Sequence, residues 1–311
     1  MNSIKVFAPA TVANVACGFD VMGFALEGIG DELIIRKTKK PGLIISEIHG
    51  DDQLSKNADE NVVTVSVRAL LDALAEKPDF GFEFELTKKV KPGSGLGSSA
   101  SSSAAAVFGV NELLENPFTR VELVQFAMEG EKLASGIPHA DNVAPSLLGG
   151  FILIRSYSPL DVIHLDFPDD LFATIVHPQI EIRTSDAKKM LRKQIELKDA
   201  ITQWGNIAGL VSGLAKSDYD LIGRSLQDVV AEPIRGMLIP SFYDAQKYAL
   251  KSGALGCSIS GSGPSIFALS RGRKAAESVS DAFHKLFSEI GLGFFNHVSP
   301  INKKGCVISD Q

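Results

Sequence analysis

Hydrophobic and polar positions alternate, then cycle with helical period, then alternate again along this chain, so strands and helices are interspersed. Short strands are predicted at 5–8, 32–37 and 43–48, then a helix from about 61 to 75 with Val62, Val65, Ala69 and Leu70 on helical spacing. Across 80–86 the apolar residues Phe80, Phe82, Phe84 and Leu86 enclose Glu83 and Glu85, the pattern of a strand with one wet face. Thr119 and Glu122 form a capping box that opens another helix, and Gly136 with Pro138 closes it. Strand-like runs at 151–155, 162–165 and 172–177 lead into mostly helical text from 185 to about 252. Strands at 255–259 and 266–269 flank the glycine cluster Ser260-Gly261-Ser262-Gly263-Pro264, and a helix at 273–289 and a strand at 293–298 follow. Strands and helices mixed without strict alternation define the α+β class. Proline, Asp-Asp and short strands cluster near 156–170, which divides the chain into units 1–160 and 161–311.

The segment Pro92-Gly93-Ser94-Gly95-Leu96-Gly97-Ser98-Ser99-Ala100-Ser101-Ser102 stands between the alternating strand and an alanine-rich amphipathic helix. Glycines at alternate positions let a backbone curl tightly and approach a ligand without Cβ obstruction. A glycine loop running into a helix N-terminus offers free N–H groups and a positive dipole end to a phosphate. A Walker A loop is excluded, because no lysine lies between Gly93 and Ser103. The dinucleotide fingerprint is excluded as well, since Ser98 stands where its third glycine belongs.

Composition narrows the partners. Hydrophobic content of 45% with 22% charged residues is that of a soluble globular protein. With 31 basic and 37 acidic residues the net charge is −6, so no global basic field recruits nucleic acid or an anionic membrane. An acidic protein that binds a nucleotide needs local neutralisation from backbone dipoles and Mg²⁺. The three cysteines, Cys17, Cys257 and Cys306, form no CxxC pair, which fits reduced thiols in a cytoplasm. The first residues lack the apolar core of a signal peptide, and no apolar run reaches membrane-spanning length.

On the Thr119 helix, Glu122, Gln125, Glu129 and Lys132 share a polar arc, whereas Glu131 falls among Val124, Ala127 and Met128. A carboxylate on an apolar face needs a partner or a metal. Glu131 is therefore a candidate Mg²⁺ ligand with Ser98 as the second, or else one half of a buried pair with an arginine. The run His139-Ala140-Asp141-Asn142 fits acid–base chemistry, substrate hydrogen bonding or merely a turn. Asn14 and Asp20 form a polar pair in small, apolar text. Arg183-Thr184…Lys188 and Glu232-Pro233-Ile234-Arg235 supply cations, and His164, His177, His284 and His297 belong to no cluster.

Taken together, these motifs resemble those of the GHMP kinases, whose signature Pro-x-Gly-x-Gly-Leu-Gly-Ser-Ser-Ala is met by 92–100 with the first glycine one place early. The C-terminal motif of that superfamily matches 260–265. Asn14…Gly18-Phe19-Asp20, His139-x-Asp141-Asn142 and Glu232-Pro233-x-Arg235 are similar to its homoserine-phosphorylating branch. The resemblance implies a ribosomal-protein-S5-like N-terminal domain and a ferredoxin-like C-terminal domain with the site between them. It also implies ATP-dependent phosphorylation of the L-homoserine hydroxyl, and a homodimer. By the same carry-over, 92–102 wraps the ATP phosphates, Asn61 and Val62 lie near the adenine, and Ser98 and Glu131 hold Mg²⁺. Asn14, Asp20, His139, Thr184, Lys188, Arg235 and Gly261 surround the amino acid, with Asp141 and Asn142 orienting groups at the reaction centre. Two departures stand out: Thr11 replaces the lysine that several branches pair with the aspartate at 141, and Lys188 replaces an arginine.

Overall fold

The computed structural model describes residues 1–180, 182 and 190–309. The first sheet is built on β1 (Ser3–Ala13) and β2 (Met22–Thr38), a long antiparallel pair, with β3 (Leu43–His49) and β4 (Gly81–Thr87) beyond β2. β3 and β4 run parallel. β4 follows its alternation: Phe82, Phe84 and Leu86 are buried, and Glu83 and Glu85 turn outward to Arg36 on β2. β5 (Phe151–Tyr157) pairs with the first residues of β2, and β6 (Leu160–Leu165) pairs with β5. A terminal strand, β11 (Val307–Ile308), pairs with β1. The first sheet thus continues past residue 160 and takes back the last described strand.

β1 and β2 are longer than their alternating cores suggested. Their extensions, including Ala10, Val12, Met22, Phe24 and Leu26, are buried and pack toward the second sheet. A strand apolar on both faces has no period of two to detect.

Helices α1 (Val62–Asp72), α2 (Ser98–Leu113) and α3 (Arg120–Ser135) cover the other face of the sheet, followed by the short α4 (Val143–Leu148). The expected amphipathic character of α2 is corrected. Every residue from Ala100 to Asn111 is buried, because α2 lies between β1, β2 and helices α1, α3 and α4. Only small side chains fit there: a Cβ at Gly109 would stand 2.5 Å from Ile35 Cδ1. The Thr119–Glu122 capping box forms as predicted, and Gly136 caps the other end of α3 with φ +80°.

The second sheet has the order β10-β7-β9-β8, with all three pairings antiparallel, from β7 (Leu171–Pro178), β8 (Ala254–Ile259), β9 (Ile266–Arg271) and β10 (Phe294–Pro300). The expected helical stretch is divided among α5 (Leu197–Lys216), α6 (Tyr219–Ser225), the four-residue α7 (Glu232–Arg235) and α8 (Phe242–Lys251). Asp218 breaks it by capping α6, and Asp228 breaks it by accepting from the amides of Val230, Ala231 and Glu232. With α9 (Arg273–Glu289) before β10, the unit has the ferredoxin-like order of strands and helices. The rings of Phe24 and Phe151 lie 4.7 Å apart and those of Phe24 and Phe267 5.9 Å apart, which locks the two sheets together. Among the described residues no helix is long and apolar enough to cross a membrane.

His177 on β7 is 8% exposed and its Nδ1 lies 3.1 Å from Ser265 Oγ, at the end of the second glycine cluster. Burial, helped by the Lys91 ammonium, lowers its pKa to about 4. Unfolding releases an imidazole of pKa ~6.5. The folded state binds this proton less readily, so it loses stability as pH falls from ~6.5, on the order of 3 kcal/mol by the folded pKa. We expect His177→Gln to flatten the fall in urea-unfolding free energy across that window, and an unchanged slope would contradict the buried neutral state.

Candidate active site

Residues 92–97 curl through three left-handed glycines, Gly93, Gly95 and Gly97, with φ of 71°, 78° and 68°. Gly97 opens α2 without any side-chain cap, so the first amides of the helix are left for a ligand. A second loop, 260–264, lies against the first. Ser260 Oγ donates to Gly95 O at 2.7 Å, and the Ser265 amide donates to Ser94 O at 3.2 Å. A Cβ at Gly95 would stand 2.5 Å from Ser260 O, so this closeness requires glycine. Thr11 joins the same knot: its amide donates to Leu96 O at 3.1 Å and its hydroxyl to Asn142 Oδ1 at 2.7 Å.

Beneath this loop lies an ion pair that sequence reasoning missed. Lys88 follows β4 directly and its ammonium contacts Asp31 Oδ2 with side-chain exposures of 3% and 0%. The same ammonium donates to Ser98 O and, at 2.9 Å, to Ser102 Oγ, so its three protons are all taken within the protein. Asp31 also accepts from the amides of Lys89 and Val90, both at 3.0 Å, and from the hydroxyls of Ser101 and Ser102 at 2.6 and 2.8 Å. Burial alone would raise the Asp31 carboxyl, but the Lys88 ammonium and the hydrogen bonds to it outweigh burial and hold it below the ordinary range. An acid set between apolar stretches of β2 was the available signal, the same one that singled out Glu131.

The opposite wall is built from strained backbone. Asn14, Val15, Ala16 and Asp20 have φ of 71°, 42°, 58° and 58°. Asn14 Nδ2 donates to Gly261 O at 2.8 Å, and Arg235 Nη1 donates to the same carbonyl at 3.1 Å. Asn14 Oδ1 accepts from the Asp20 amide at 3.0 Å, and His139 Nδ1 lies 3.7 Å from Asp20 Oδ1. The Arg235 guanidinium is 3% exposed, with its carbon 5.1 Å from the centre of the Phe19 ring. Burial draws its pKa down, opposed by the fields of Asp20, Asp228 and Asp141. Burial pushes the Glu232 carboxyl up, although Ser258 and Gln246 donate to it.

Both walls face one cavity of about 440 Å³. It is lined by Asn14, Asp20, His139, Asp141, Asn142, Arg235 and Gly261 at one end, and by Pro92, Gly93, Gly95, Gly97, Ser98, Ser99 and Ser102 along the loop. Asn61 and Val62 line it with Leu54, Ser55 and Glu60, the last three of which sequence reasoning did not single out. Asn61 is held by its own cap: Oδ1 accepts from the Val63 amide at 3.0 Å and Nδ2 donates to Ser55 O at 2.7 Å. Glu131, buried on α3, reaches the same cavity as Ser98, whose hydroxyl donates to Val90 O at 2.7 Å. Four residues expected along the loop do not line the cavity. Ser94, Leu96, Ala100 and Ser101 are buried: α2 turns Ala100 and Ser101 into the core, the latter facing Asp31, and before the helix the Ser94 hydroxyl turns inward to accept from the Leu96 amide. Thr184 and Lys188 lie outside the described residues. Among the described residues the wall carries four carboxylates (Asp20, Glu60, Glu131, Asp141) against the cations Lys88 and Arg235. An anionic polyphosphate entering it therefore calls for a counter-cation.

An uncapped helix N-terminus facing a polar pocket across one cleft is the layout of a kinase for small molecules, and here it stands between a mixed sheet and a ferredoxin-like unit. The chain belongs to the GHMP kinases: residues 61–150 match the family described as GHMP kinases N terminal domain and residues 210–289 that described as GHMP kinases C terminal. Within that family it is similar to proteins named homoserine kinase. One from Chlorobium phaeobacteroides (strain DSM 266) is 48% identical over 99% of this chain and 100% of its own. One from Xanthomonas campestris pv. campestris is 38% identical over 97% and 92%. The crystal structure of homoserine kinase from Cytophaga hutchinsonii superposes with a TM-score of 0.96 at 54% identity, covering 99% of this chain and 98% of that one. Mevalonate kinase from L. major, at 17% identity and a TM-score of 0.70 over 96% of both chains, shares the fold.

Lys88→Met leaves the Asp31 carboxylate buried without its cation. We expect a loss of about 3–5 kcal/mol in the free energy of unfolding by urea. Because the folded carboxyl is depressed, the contribution of the pair is complete above pH ~4 and is lost on further acidification. A loss below about 1 kcal/mol at neutral pH would contradict the role given to the pair.

Proposed function

We propose that this chain is an ATP-dependent homoserine kinase that transfers the γ-phosphoryl group directly to the side-chain hydroxyl of L-homoserine. The observation that carries the reading is the meeting, in one cavity, of the uncapped start of α2 with Asn14, Asp20, His139 and Arg235. Homoserine has an ammonium, a carboxylate and a hydroxyl. Asp20 suits the ammonium, and Arg235, whose Nε has no acceptor among the described residues, suits the carboxylate by paired donation. Asn14 and His139 orient the hydroxyl, with Asp141 and Asn142 beside it. Thr11 is buried and bonded to Asn142, so it supports orientation and supplies no cation to Asp141.

On the donor side, the amides of Gly93, Gly95, Gly97, Ser98 and Ser99 receive the phosphates and the surface around Asn61 and Val62 receives the adenine. A carboxylate and a hydroxyl facing one cavity, Glu131 and Ser98, are hard oxygen donors that fit Mg²⁺, which takes few protein ligands and keeps substrate phosphates and water. When bound there, the ion neutralises charge on the phosphates of ATP. Phosphoryl transfer asks chiefly for position and charge balance, so direct attack by an oriented hydroxyl needs no strong base. The reading carries a homodimer, for which the exposed Leu197, Ile201 and Trp204 on α5 form an apolar surface, and a cytoplasmic enzyme, in keeping with three buried, unpaired cysteines.

ADP release with Mg-ATP and a panel of L-homoserine, L-serine, mevalonate and galactose tests the acceptor. Homoserine should give the highest kcat/KM, and preference for any other alcohol would overturn the assignment. Glu131→Gln should lower kcat by at least about 100-fold, or 2.7 kcal/mol of barrier, with an unchanged far-ultraviolet spectrum. Turnover within threefold of the parent would remove Glu131 from the metal site.

A further inference from the structure

Tyr157 closes β5 at the rim of the cleft and belongs to none of the motifs singled out in the sequence. Its hydroxyl donates to Asp20 O at 2.6 Å and accepts from the Ala140 amide at 3.3 Å. This hydroxyl is thus a hydrogen-bonded link between Asp20 and the segment 139–142. The two segments it joins both line the acceptor end of the cavity: the Asp20 carboxylate belongs to one, and His139, Asp141 and Asn142 to the other. The segment 139–142 is tied into α4 by the bonds of the Ala144 and Ser146 amides to Ala140 O and Asn142 O, whereas the Asp20 end is not rigid by local preference. Asp20 sits at φ +58°, where a non-glycine residue needs outside support, and its other tie is the amide bond to Asn14 Oδ1. The separation of His139 Nδ1 from Asp20 Oδ1, 3.7 Å, is too long for a hydrogen bond. Burial, assisted by the Asp141 and Asp20 carboxylates, raises the Tyr157 phenol above its ordinary range, so the donor stays protonated at any working pH.

We propose that Tyr157 is a positioning residue that sets acceptor specificity, its hydroxyl fixing the span between the ammonium partner Asp20 and the groups that orient the reacting hydroxyl. The inference rests on the proposed homoserine kinase activity. A fixed span discriminates a hydroxyl two carbons from the α-carbon from one that is a single carbon away, as in L-serine. It likewise disfavours 4-hydroxybutanoate, which offers Asp20 no ammonium.

The test is Tyr157→Phe, which keeps the ring. Tyr157 is 37% exposed, and an unchanged far-ultraviolet spectrum checks that the fold is retained. KM for homoserine should rise about tenfold, the scale of one lost hydrogen bond, with KM for ATP within twofold. The kcat/KM ratio of homoserine to L-serine should narrow at least fivefold, and that of homoserine to 4-hydroxybutanoate should narrow with it. Unchanged homoserine KM and ratios in the variant, with an active parent, would overturn the inference alone. A parallel rise in both KM values with unchanged ratios would reduce Tyr157 to a structural role and overturn it too. A parent inactive on homoserine would overturn the proposed function and this inference together.

Discussion

A carboxylate sealed from water, Asp31, gathers five donors beneath the glycine loop of the cleft: the Lys88 ammonium, the amides of Lys89 and Val90, and the hydroxyls of Ser101 and Ser102. These donors come from both sides of the glycine loop, from the end of β4 and from the first turn of α2. A loop of alternate glycines has little conformational preference of its own. Its shape is imposed by fastening its two ends to one buried charge. The paired charge also clarifies the binding chemistry. Lys88 lines the cleft, but its protons are engaged, so in the proposed reaction the attraction for phosphate falls to backbone amides and Mg²⁺.

The acceptor side obeys a comparable constraint at the seam of the two sheets. The Phe24, Phe151 and Phe267 rings fix one sheet on the other, and over that seam the Gly261 carbonyl receives both Asn14 and Arg235. One backbone atom of the second glycine loop thereby sets the positions of the Asn14 amide and the Arg235 guanidinium, which the proposed reading gives to the hydroxyl and the carboxylate of the acceptor. The same loop is fastened to the first through Ser260 and Gly95. Donor and acceptor pockets are therefore held by one continuous network, which suits a reaction whose barrier falls chiefly through alignment.

Much of this was legible in the sequence where local chemistry is decisive. Alternation located β4, the Thr119–Glu122 box located the start of α3, and an acid on an apolar helix face located buried Glu131. What escaped was non-local. The extensions of β1 and β2 lack a period because both faces are covered, and α2 is buried on all sides because its many small residues let it run through the core. Asp31 and Lys88 lie 57 positions apart, and neither residue alone predicts the other. Ser94, Leu96, Ala100 and Ser101 read as ligand contacts because they share a motif with residues that line the cleft. Which side of the loop faces the ligand is decided only by packing. The Asn14, Asp20, His139 and Arg235 set was visible as isolated polar residues, and the topology made it a pocket.

The central claim is that the γ-phosphoryl group passes from nucleotide to acceptor hydroxyl in a single step within this cleft, with no residue of the chain carrying it in between. The most direct measurement is the stereochemical course at phosphorus, using ATP made chiral at the γ-phosphorus with oxygen isotopes and homoserine as acceptor. Direct in-line attack predicts inversion of configuration in the phosphorylated product. Retention, which requires two displacements through a phosphorylated side chain such as His139 or Asp141, would contradict the account.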